Sequence, residues 1–374
     1  MKIISIILIS LILIISCNVI NDKTKRAAKQ LQLMEKEIKF PCLKKIQIYS
    51  YFEQHGIEYF CYKIKDWIYC MNLKTKIVED SINIIFEKGE KEKYGEVTSF
   101  CFSGSDSIFL LMDKAIFFVE NKIRKKVIPI NELDSSQFTS FRFANLENAP
   151  IYYDNKMKEI IGQVYCSTCF QSQKSFYKQK IVGSISIETG KVKLYNMSYP
   201  DIYVMQYYGF ANHVYIDNYC NNTYLSFPCD PNIFILNRYS NKYEIIPAKS
   251  IFQNNAARPL DTVFANSREE KMKHMVTVPY YTELRYDKNR EVIYRFYLKE
   301  LNIKTSSGKY NSFDNKQLIL LVLNKNNEVV GEYPLDKYYN NYISFVGKDG
   351  LYINYFSKER FDTGKIVFKI LTFN

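Results

Sequence analysis

One cysteine, Cys17, follows an apolar run near the start of the chain. The chain begins with a methionine and a lysine, and an apolar run from Ile3 to Ile15 is followed by Ser16 and Cys17, in the order of the bacterial lipobox. A short basic start and an apolar run of this length are typical of a secretory signal peptide, whereas a membrane-spanning helix needs about 20 apolar residues. We therefore predict a signal peptide over residues 1–16 and acylation of Cys17, which would anchor the mature chain to a membrane. The alternative is a plain secretory signal with a coincidental cysteine.

Eight further cysteines allow disulfide or metal chemistry. They are Cys42, Cys61, Cys70, Cys101, Cys166, Cys169, Cys220 and Cys229. An exported chain meets an oxidising compartment in which some of them can pair, although several lie in strand-like apolar stretches that suit small buried side chains. Cys166 and Cys169 have the spacing of half a zinc site, but Cys220 and Cys229 do not supply the other half. A disulfide or buried thiols are the better interpretation, and the sequence does not fix the pairing.

Signatures of catalysis are sparse. The chain has His55, His213 and His274 only, and it lacks the Gly-x-Ser-x-Gly, glycine-rich phosphate-loop and His-Glu-x-x-His motifs. We predict no catalytic residue, no cofactor and no metal ion. Glycosidases work with two facing carboxylates, and loop aspartates of this chain could supply such a pair. These aspartates are Asp106, Asp154, Asp201, Asp217 and Asp261.

The charge of the chain does not indicate a nucleic-acid partner. The formal net charge is +12 at pH 7, but the lysines are scattered and no arginine-rich run is present. Hydrophobic residues make up 47% and charged residues 24%, which is an ordinary globular composition, while the aromatic share of 16% is high. We therefore expect a folded domain whose interior is rich in Tyr and Phe.

Short β-rich runs dominate the chain from about Lys45 onward. They are rich in Ile, Val, Tyr and Phe and are bounded by Asn, Asp, Gly and Lys, as at residues 67–72, 115–120 and 365–373. Before them, residues 17–40 are predicted to form a lipidated tether with a short helix around Ala27–Ile38. Two stretches interrupt the rhythm and are predicted to be long insertions, from Asn131 to Lys180 and from Ala248 to Met275. A helical period is visible only around Ala265–Met275.

Tight polar links between strands recur along the chain. They lie at residues 73–76, 120–122, 188–191, 238–242, 287–290, 324–327 and 362–365. Each is an apolar run, a short loop of turn formers and a second run, which is the pattern of a β-hairpin. Recurrence every 35–50 residues or so predicts an all-β fold, a β-propeller of six or seven blades of antiparallel strands over residues 41–374. The competing architecture is a pair of β-sandwiches.

One predicted hairpin carries an unusual density of polar and aromatic side chains. Strands over residues 282–286 and 292–297 pair across the link Asp287–Arg290. Alternation places Val292, Tyr294 and Phe296 on one face of the second strand, and Ile293, Arg295 and Tyr297 on the other. Arg295 could then stack on aromatic rings and contact a ligand, or it could pair structurally with Asp287 or Glu283.

The same hairpin, the lipobox and the chain length together resemble an uncharacterised family of propeller lipoproteins from Bacteroidales, related in shape to TolB-like six-bladed propellers. The motif is Tyr-Asp-x-x-Arg followed by an aromatic residue and Tyr-Arg-Phe. It is matched by Tyr286, Asp287, Arg290, Tyr294, Arg295 and Phe296, with Ile293 in place of the aromatic residue. The family has no established activity, so that the resemblance implies a fold and a location and leaves the function open.

From these features we predict a monomeric envelope lipoprotein at the outer membrane, facing the periplasm or the cell surface. Its propeller would be a binding or scaffolding module for a protein or glycan partner. The candidate partner-binding residues are Tyr286, Asp287, Arg290, Tyr294 and Arg295. The alternative is a propeller-type carbohydrate hydrolase that uses carboxylates in its central funnel. Two or three carboxylates in an open axial pocket would favour the enzyme, and an aromatic rim would favour the binder.

Overall fold

The structure is a computed structural model that describes residues 33–41, 46, 48–104, 106–130, 141–143, 150–166, 169–356 and 365–373. The predicted signal peptide, Cys17 and Cys42 lie outside these residues. Among the described residues, none of the helices combines the length and the apolar character needed to cross a membrane.

Six antiparallel sheets make up the fold, and five of them are continuous in sequence. The exception is the sixth, because the first strand of the chain, β1 (Leu33–Pro41), belongs to it. Blade 1 consists of β2 (Ile48–Gln54), β3 (Ile57–Ile64), β4 (Trp67–Asn72) and β5 (Val78–Asn83). Blade 2 consists of β6 (Ser99–Gly104), β7 (Ser107–Leu111), β8 (Ala115–Glu120) and β9 (Ile123–Pro129). Blade 3 consists of β10 (Phe141–Phe143), β11 (Tyr152–Asp154), β12 (Glu159–Cys166), β13 (Val182–Ser186) and β14 (Val192–Leu194).

The second half of the chain continues the same pattern. Blade 4 consists of β15 (Tyr215–Tyr219), β16 (Asn222–Ser226), β17 (Asn232–Asn237) and β18 (Lys242–Pro247). Blade 5 consists of β19 (Tyr280–Asp287), β20 (Val292–Leu298), β21 (Leu318–Leu323) and β22 (Val329–Pro334). Blade 6 consists of β23 (Tyr339–Gly347), β24 (Gly350–Tyr355), β25 (Lys365–Phe373) and β1. The fold is therefore a six-bladed β-propeller, as the recurring hairpins predict.

The ring is closed by the pairing of β1 with β25. Leu33 pairs with Phe373 and Pro41 with Lys365, so that all nine residues of β1 lie in the ladder. The Lys369 ammonium adds an ion pair to Glu37 at 3.4 Å and a second one to Glu35. The predicted helix is wrong over residues 33–38, because a distant edge strand supplies backbone partners that outweigh a weak local helical pattern. The propeller consequently begins at Leu33 and not at residue 41.

The seven predicted links reduce to six blades because they do not occupy equivalent positions. Residues 287–290 join the first two strands of blade 5, and residues 324–327 join the last two strands of the same blade. The stretch from 131 to 180 is not simply an insertion, since it contains β10, β11 and β12. The longest interval between successive predicted links runs from residue 122 to residue 188. The turn between β11 and β12 lies in this interval and is a hairpin that was not predicted from the sequence.

Blades pack face to face through aromatic and aliphatic side chains. One cluster joins blades 6 and 1 and includes Phe60, Phe345 and Phe368. Phe52 of blade 1 stacks on Phe102 of blade 2, with ring centroids 4.3 Å apart. Because each sheet is covered on both faces by its neighbours, its strands can be apolar in a continuous run, as in β21, whose six residues are all buried.

The two faces of the disc differ in their connections. In an antiparallel four-stranded blade, the turns after the first and third strands lie at one end, here called the turn face. Those turns are short throughout the described blades. The opposite face carries the long connections, with helices α1 (Glu90–Tyr94), α2 (Lys174–Tyr177), α3 (Asp201–Met205) and α4 (Arg268–Thr277). Helix α4 begins at Ser267, whose side chain accepts a hydrogen bond from the N–H of Glu270, and it confirms the helical period seen in this region.

Candidate binding site

A cavity of about 330 Å³ lies on the propeller axis. It is lined by the innermost strand of every blade, which is β11 in blade 3 and the first strand in the other five, and each of these strands contacts at least one other around the axis. The lining also includes Lys288 and Asn289, which belong to the turn between β19 and β20. The cavity therefore reaches the turn face of the disc, and its volume falls at the lower end of the range for small-molecule sites.

Aromatic side chains form much of the described wall. They are Tyr49, Tyr51, Phe102, Tyr152, Tyr153, Tyr219, Tyr286 and Phe345. Tyr286 is held flat between two other rings, with its centroid 4.8 Å from Tyr219 and 5.0 Å from Tyr224. Stacked rings of this kind give a rigid wall with little side-chain entropy left to lose on binding.

Asp217 on β15 is the one carboxylate among the described lining residues. Its Oδ1 accepts hydrogen bonds from the Tyr152 hydroxyl at 2.9 Å and from the N–H of Asn218 at 3.0 Å. Its Oδ2 accepts the N–H of Tyr286 at 2.7 Å. Burial raises the pKa of Asp217, and the nearby Arg285 partly opposes that shift. Both oxygens are thus used to hold the walls contributed by blades 3, 4 and 5 together.

Arg285 on β19, in the blade next to that of Asp217, also lines the cavity. Its Nε donates to the carbonyl of Ser344 at 2.9 Å, and one terminal nitrogen donates to the carbonyl of Leu284 at 2.8 Å. The other terminal nitrogen donates to the Tyr49 hydroxyl at 3.2 Å. Burial by itself would lower the pKa of Arg285, but Tyr49 and Asp217 outweigh it and raise the pKa above its ordinary value. The guanidinium therefore links blades 5, 6 and 1 and remains charged.

Two further polar atoms in the lining residues are buried without a hydrogen-bond partner in the described structure. They are the Nδ2 of Asn218 and the Oγ of Ser344. A buried donor without an acceptor costs about 1–3 kcal/mol, so that such atoms are normally satisfied by water or by a ligand. The Oδ1 of Asn218 accepts from the Thr223 hydroxyl and the Arg238 guanidinium, so that this amide faces the interior of blade 4.

Two β-bulges, in the inner strands β19 and β23, bring polar side chains of blades 5 and 6 into contact. The register of β19 against β20 shifts between Tyr281 and Leu284, and that of β23 against β24 shifts between Asn340 and Ser344. The Asn341 amide donates to Thr282 at 2.7 Å and also to Glu283. Burial raises the pKa of Glu283, whose Oε1 is buried without a partner among the described residues. Bulges of this kind re-aim side chains, and here they place Glu283 outside the cavity lining.

The structure separates the five predicted partner-binding residues. Tyr286 lines the cavity. Asp287 is fully buried and accepts the N–H groups of Asn289 and Arg290, the Arg290 guanidinium and the Tyr294 hydroxyl. Tyr294 is fully buried too. Asp287 therefore organises the turn between β19 and β20, and the Arg290 guanidinium extends that turn to the carbonyl of Lys348 on blade 6, at 2.9 Å.

Arg295 is also fully buried, and it joins blade 5 to blade 4. Its guanidinium donates to the Oγ of Ser226 at 3.0 Å, to the carbonyl of Asp230 at 2.8 Å and to the carbonyl of Pro231. It also lies 3.9 Å from the ring centroid of Tyr281. The predicted pairing with Asp287 or Glu283 is replaced by these neutral partners. Burial closes Asp287, Tyr294 and Arg295 to any ligand, so that their contribution is structural.

The remaining sequence candidates lie apart from one another. Asp154 pairs with Arg238 at 3.1 Å, whereas Asp106, Asp201 and Asp261 are exposed outside the cavity lining. Cys169 is disulfide-bonded. Free thiols are buried at Cys61, Cys70, Cys101 and Cys229 and exposed at Cys220. Within the described ranges, no group of three His, Cys, Asp or Glu side chains is placed to hold a metal ion.

Sequence reasoning missed Arg285, Tyr49 and Ser344 as members of one site. These residues come from blades 5, 1 and 6, and only ring closure brings them together. Asp217 was one of five loop aspartates with nothing to distinguish it. One feature of the sequence could have indicated the site. Arg285 is a charged residue in the first strand of the hairpin formed by β19 and β20.

The fold and the site define a six-bladed β-propeller with an aromatic-walled cavity on its axis. Residues 95–334 match the family model DUF4221, a domain of unknown function, and the chain belongs to this family. The structure of a DUF4221 member from Bacteroides vulgatus has 20% sequence identity and a TM-score of 0.73, and the match covers 92% of this chain and 99% of that one. A proposed exported protein from Bacteroides fragilis has 12% identity and a TM-score of 0.54, with 91% and 95% covered. No functionally curated protein matches this chain.

Proposed function

We propose that this protein is a lipid-anchored envelope module that binds a glycan or protein partner through its axial cavity. The observation that carries the proposal is the cavity wall, in which eight aromatic side chains surround one carboxylate that is already engaged on both oxygens. Binding sites typically combine apolar and aromatic walls with a few polar groups that fix orientation. The site is built on rigid inner strands, which supports recognition without rearrangement.

Hydrolysis by facing carboxylates is the less supported alternative. An inverting or retaining glycosidase needs two carboxylates about 5–10 Å apart on either side of the bond. The described cavity lining offers Asp217 alone, which is one carboxylate where this mechanism needs two.

The location in the envelope rests on the sequence. Cys17 follows a signal-like run, and fifteen residues lie between it and the first described strand, which starts at Leu33. Because Leu33 pairs with Phe373 at the end of the third strand of blade 6, the tether would join the disc at the turn face. The Bacteroides fragilis protein of similar fold, which is proposed to be exported, agrees with a role outside the cytoplasm.

The test uses glycan and peptide arrays probed with the purified protein. Ser50→Trp places a large ring in the cavity lining, and Asn326→Trp places the same ring in an exposed turn of blade 5 as the matched control. We expect a ligand that the wild type and Asn326→Trp retain and that Ser50→Trp loses, with both variants folded by thermal unfolding. Binding that is unaffected by Ser50→Trp, turnover of an array component, or no ligand at all would overturn the proposal.

A further inference from the structure

We propose that the axial cavity binds a sugar that carries a carboxylate, with that carboxylate on the free N–H groups of Arg285. The inference rests on the proposed binding function and names its ligand class. It starts from the hydrogen-bond inventory of the guanidinium. Arginine has five N–H donors, and three of those of Arg285 are engaged by described acceptors. One N–H on each terminal nitrogen is left, which is the pair that a carboxylate takes in a bidentate contact.

The direct partners of Arg285 are all neutral. They are two backbone carbonyls and the Tyr49 hydroxyl, and no described carboxylate lies within ion-pair distance of the guanidinium. Arg238 and Arg290, by contrast, each have an aspartate at about 3 Å. A cation in a site of low dielectric without a contacting counterion attracts an anion more strongly than it would in water. An anionic group of the ligand would complete the pair.

Asp217 does not fill this role, because of how its oxygens are used. The carboxylate faces Tyr152 and the N–H groups of Asn218 and Tyr286, which partly neutralise its charge. It raises the pKa of Arg285 through its charge, without a direct contact between the two groups. The described lining has two cations, Arg285 and Lys288, against this one carboxylate, and Lys288 is already paired with Glu53 at 3.2 Å.

The other features of the lining favour a sugar over a simple anion. The side chains of Ser50 and Asn289 belong to cavity-lining residues that are not buried, and they can form hydrogen bonds with ligand hydroxyls. The ring of Tyr219, which is 37% exposed and lines the cavity, offers apolar surface to the C–H face of a pyranose. A peptide carboxylate would use Arg285 but would leave these hydroxyl-binding groups unpaired.

The experiment compares D-glucuronate with D-glucose, which differ only in the carboxylate, by calorimetry or ligand-observed NMR on the whole protein. N-acetylglycine is the third probe and supplies a carboxylate without a sugar. We expect glucuronate to bind at least tenfold more tightly than either. Arg285→Gln should weaken glucuronate binding by about 10–100-fold, the effect of one charged hydrogen-bonded contact. The matched control Arg268→Gln, in exposed helix α4, should change nothing.

Each outcome decides the proposal. Equal affinity for glucuronate and glucose would contradict the requirement for a carboxylate. Equal affinity for glucuronate and N-acetylglycine would contradict the requirement for a sugar. Arg285→Lys keeps the charge without the paired donors, and full affinity in that variant overturns the bidentate contact. If no probe binds while an array ligand is lost in Ser50→Trp, this inference fails and the proposed function stands. If the arrays are also empty, both fail.

Discussion

Two arginines of the same hairpin, ten residues apart, are used in opposite ways. Arg295 lies between blades 4 and 5, fully buried, with its donors on Ser226 and the carbonyls of Asp230 and Pro231. Arg285 lines the axial cavity, and two of its N–H groups have no described acceptor. The difference arises from which strand carries the residue, because β19 is the inner strand of the blade and β20 is covered on both faces by neighbouring blades. In a propeller, a charged residue in an inner strand has access to a ligand, whereas one in a second strand fastens blades together.

The largest predicted effect tests the structural role of Arg295. Arg295→Met should lower the free energy of unfolding by about 3–5 kcal/mol, because two buried carbonyls and a hydroxyl lose their donors. Arg285→Met should cost about 1 kcal/mol or less, since water can enter the cavity and replace its hydrogen bonds. Urea unfolding followed by the fluorescence of Trp67 measures both. Equal losses in the two variants would contradict the division of roles.

A smaller effect is expected at the carboxylate of Asp217, which lines the same cavity as Arg285. Asp217→Asn should lower the free energy of unfolding by about 1–3 kcal/mol, because the amide nitrogen meets the N–H of Tyr286 where an oxygen accepted it. The exposed Asp106→Asn is the matched control and should be neutral. Thermal unfolding of both variants checks the difference. A neutral Asp217→Asn would show that this carboxylate does not hold the cavity walls.

The smallest effect concerns a third cation, Lys316. Like Arg295, it is buried and donates its hydrogen bonds to neutral acceptors. Burial lowers the pKa of Arg295 to about 10, so that it stays charged at neutral pH, and lowers the pKa of Lys316 to about 7. The Lys316 ammonium donates to the carbonyls of Met275 and Val278, near the end of helix α4.

The sign of the pH dependence follows from that lowered pKa. Above pH 7 the folded state releases the Lys316 proton, while the unfolded state, with a pKa of about 10.4, retains it. Stability should therefore rise with pH, by about 1 kcal/mol from pH 7 to pH 8. The measurement is the difference between the wild type and Lys316→Met in urea unfolding at both values. A pH-independent difference would contradict the prediction.

The sequence predicts the local parts of this molecule well. The predicted strands Trp67–Asn72 and Lys365–Phe373 have the observed bounds, and the paired faces of β20 are confirmed by the clusters that hold Tyr294 and Ile293. These features depend on alternation and on turn residues within a few positions. They do not require any knowledge of distant partners.

What the sequence does not predict depends on contacts between distant segments. The strand Leu33–Pro41 has a weak local pattern, and its partner is the last strand of the ring. The cavity combines Tyr49, Asp217 and Arg285 from three blades, and no spacing rule connects them. The motif around Asp287 led to the prediction that Arg295 binds a partner. That prediction fails because a high density of polar residues does not distinguish the wall of a cavity from an interface between blades.

Closure by β1 also has a consequence for how the chain folds. Five blades can form from neighbouring hairpins, but the pairing of Leu33 with Phe373 encloses nearly the whole described chain. Bringing such distant segments together costs about 3 kcal/mol more in chain entropy than closing a loop of a dozen residues. Assembly should therefore be slow, with the ring completed last. Until then β1 and the outer edge of β25 lack a strand partner, and these exposed edges can pair with other chains.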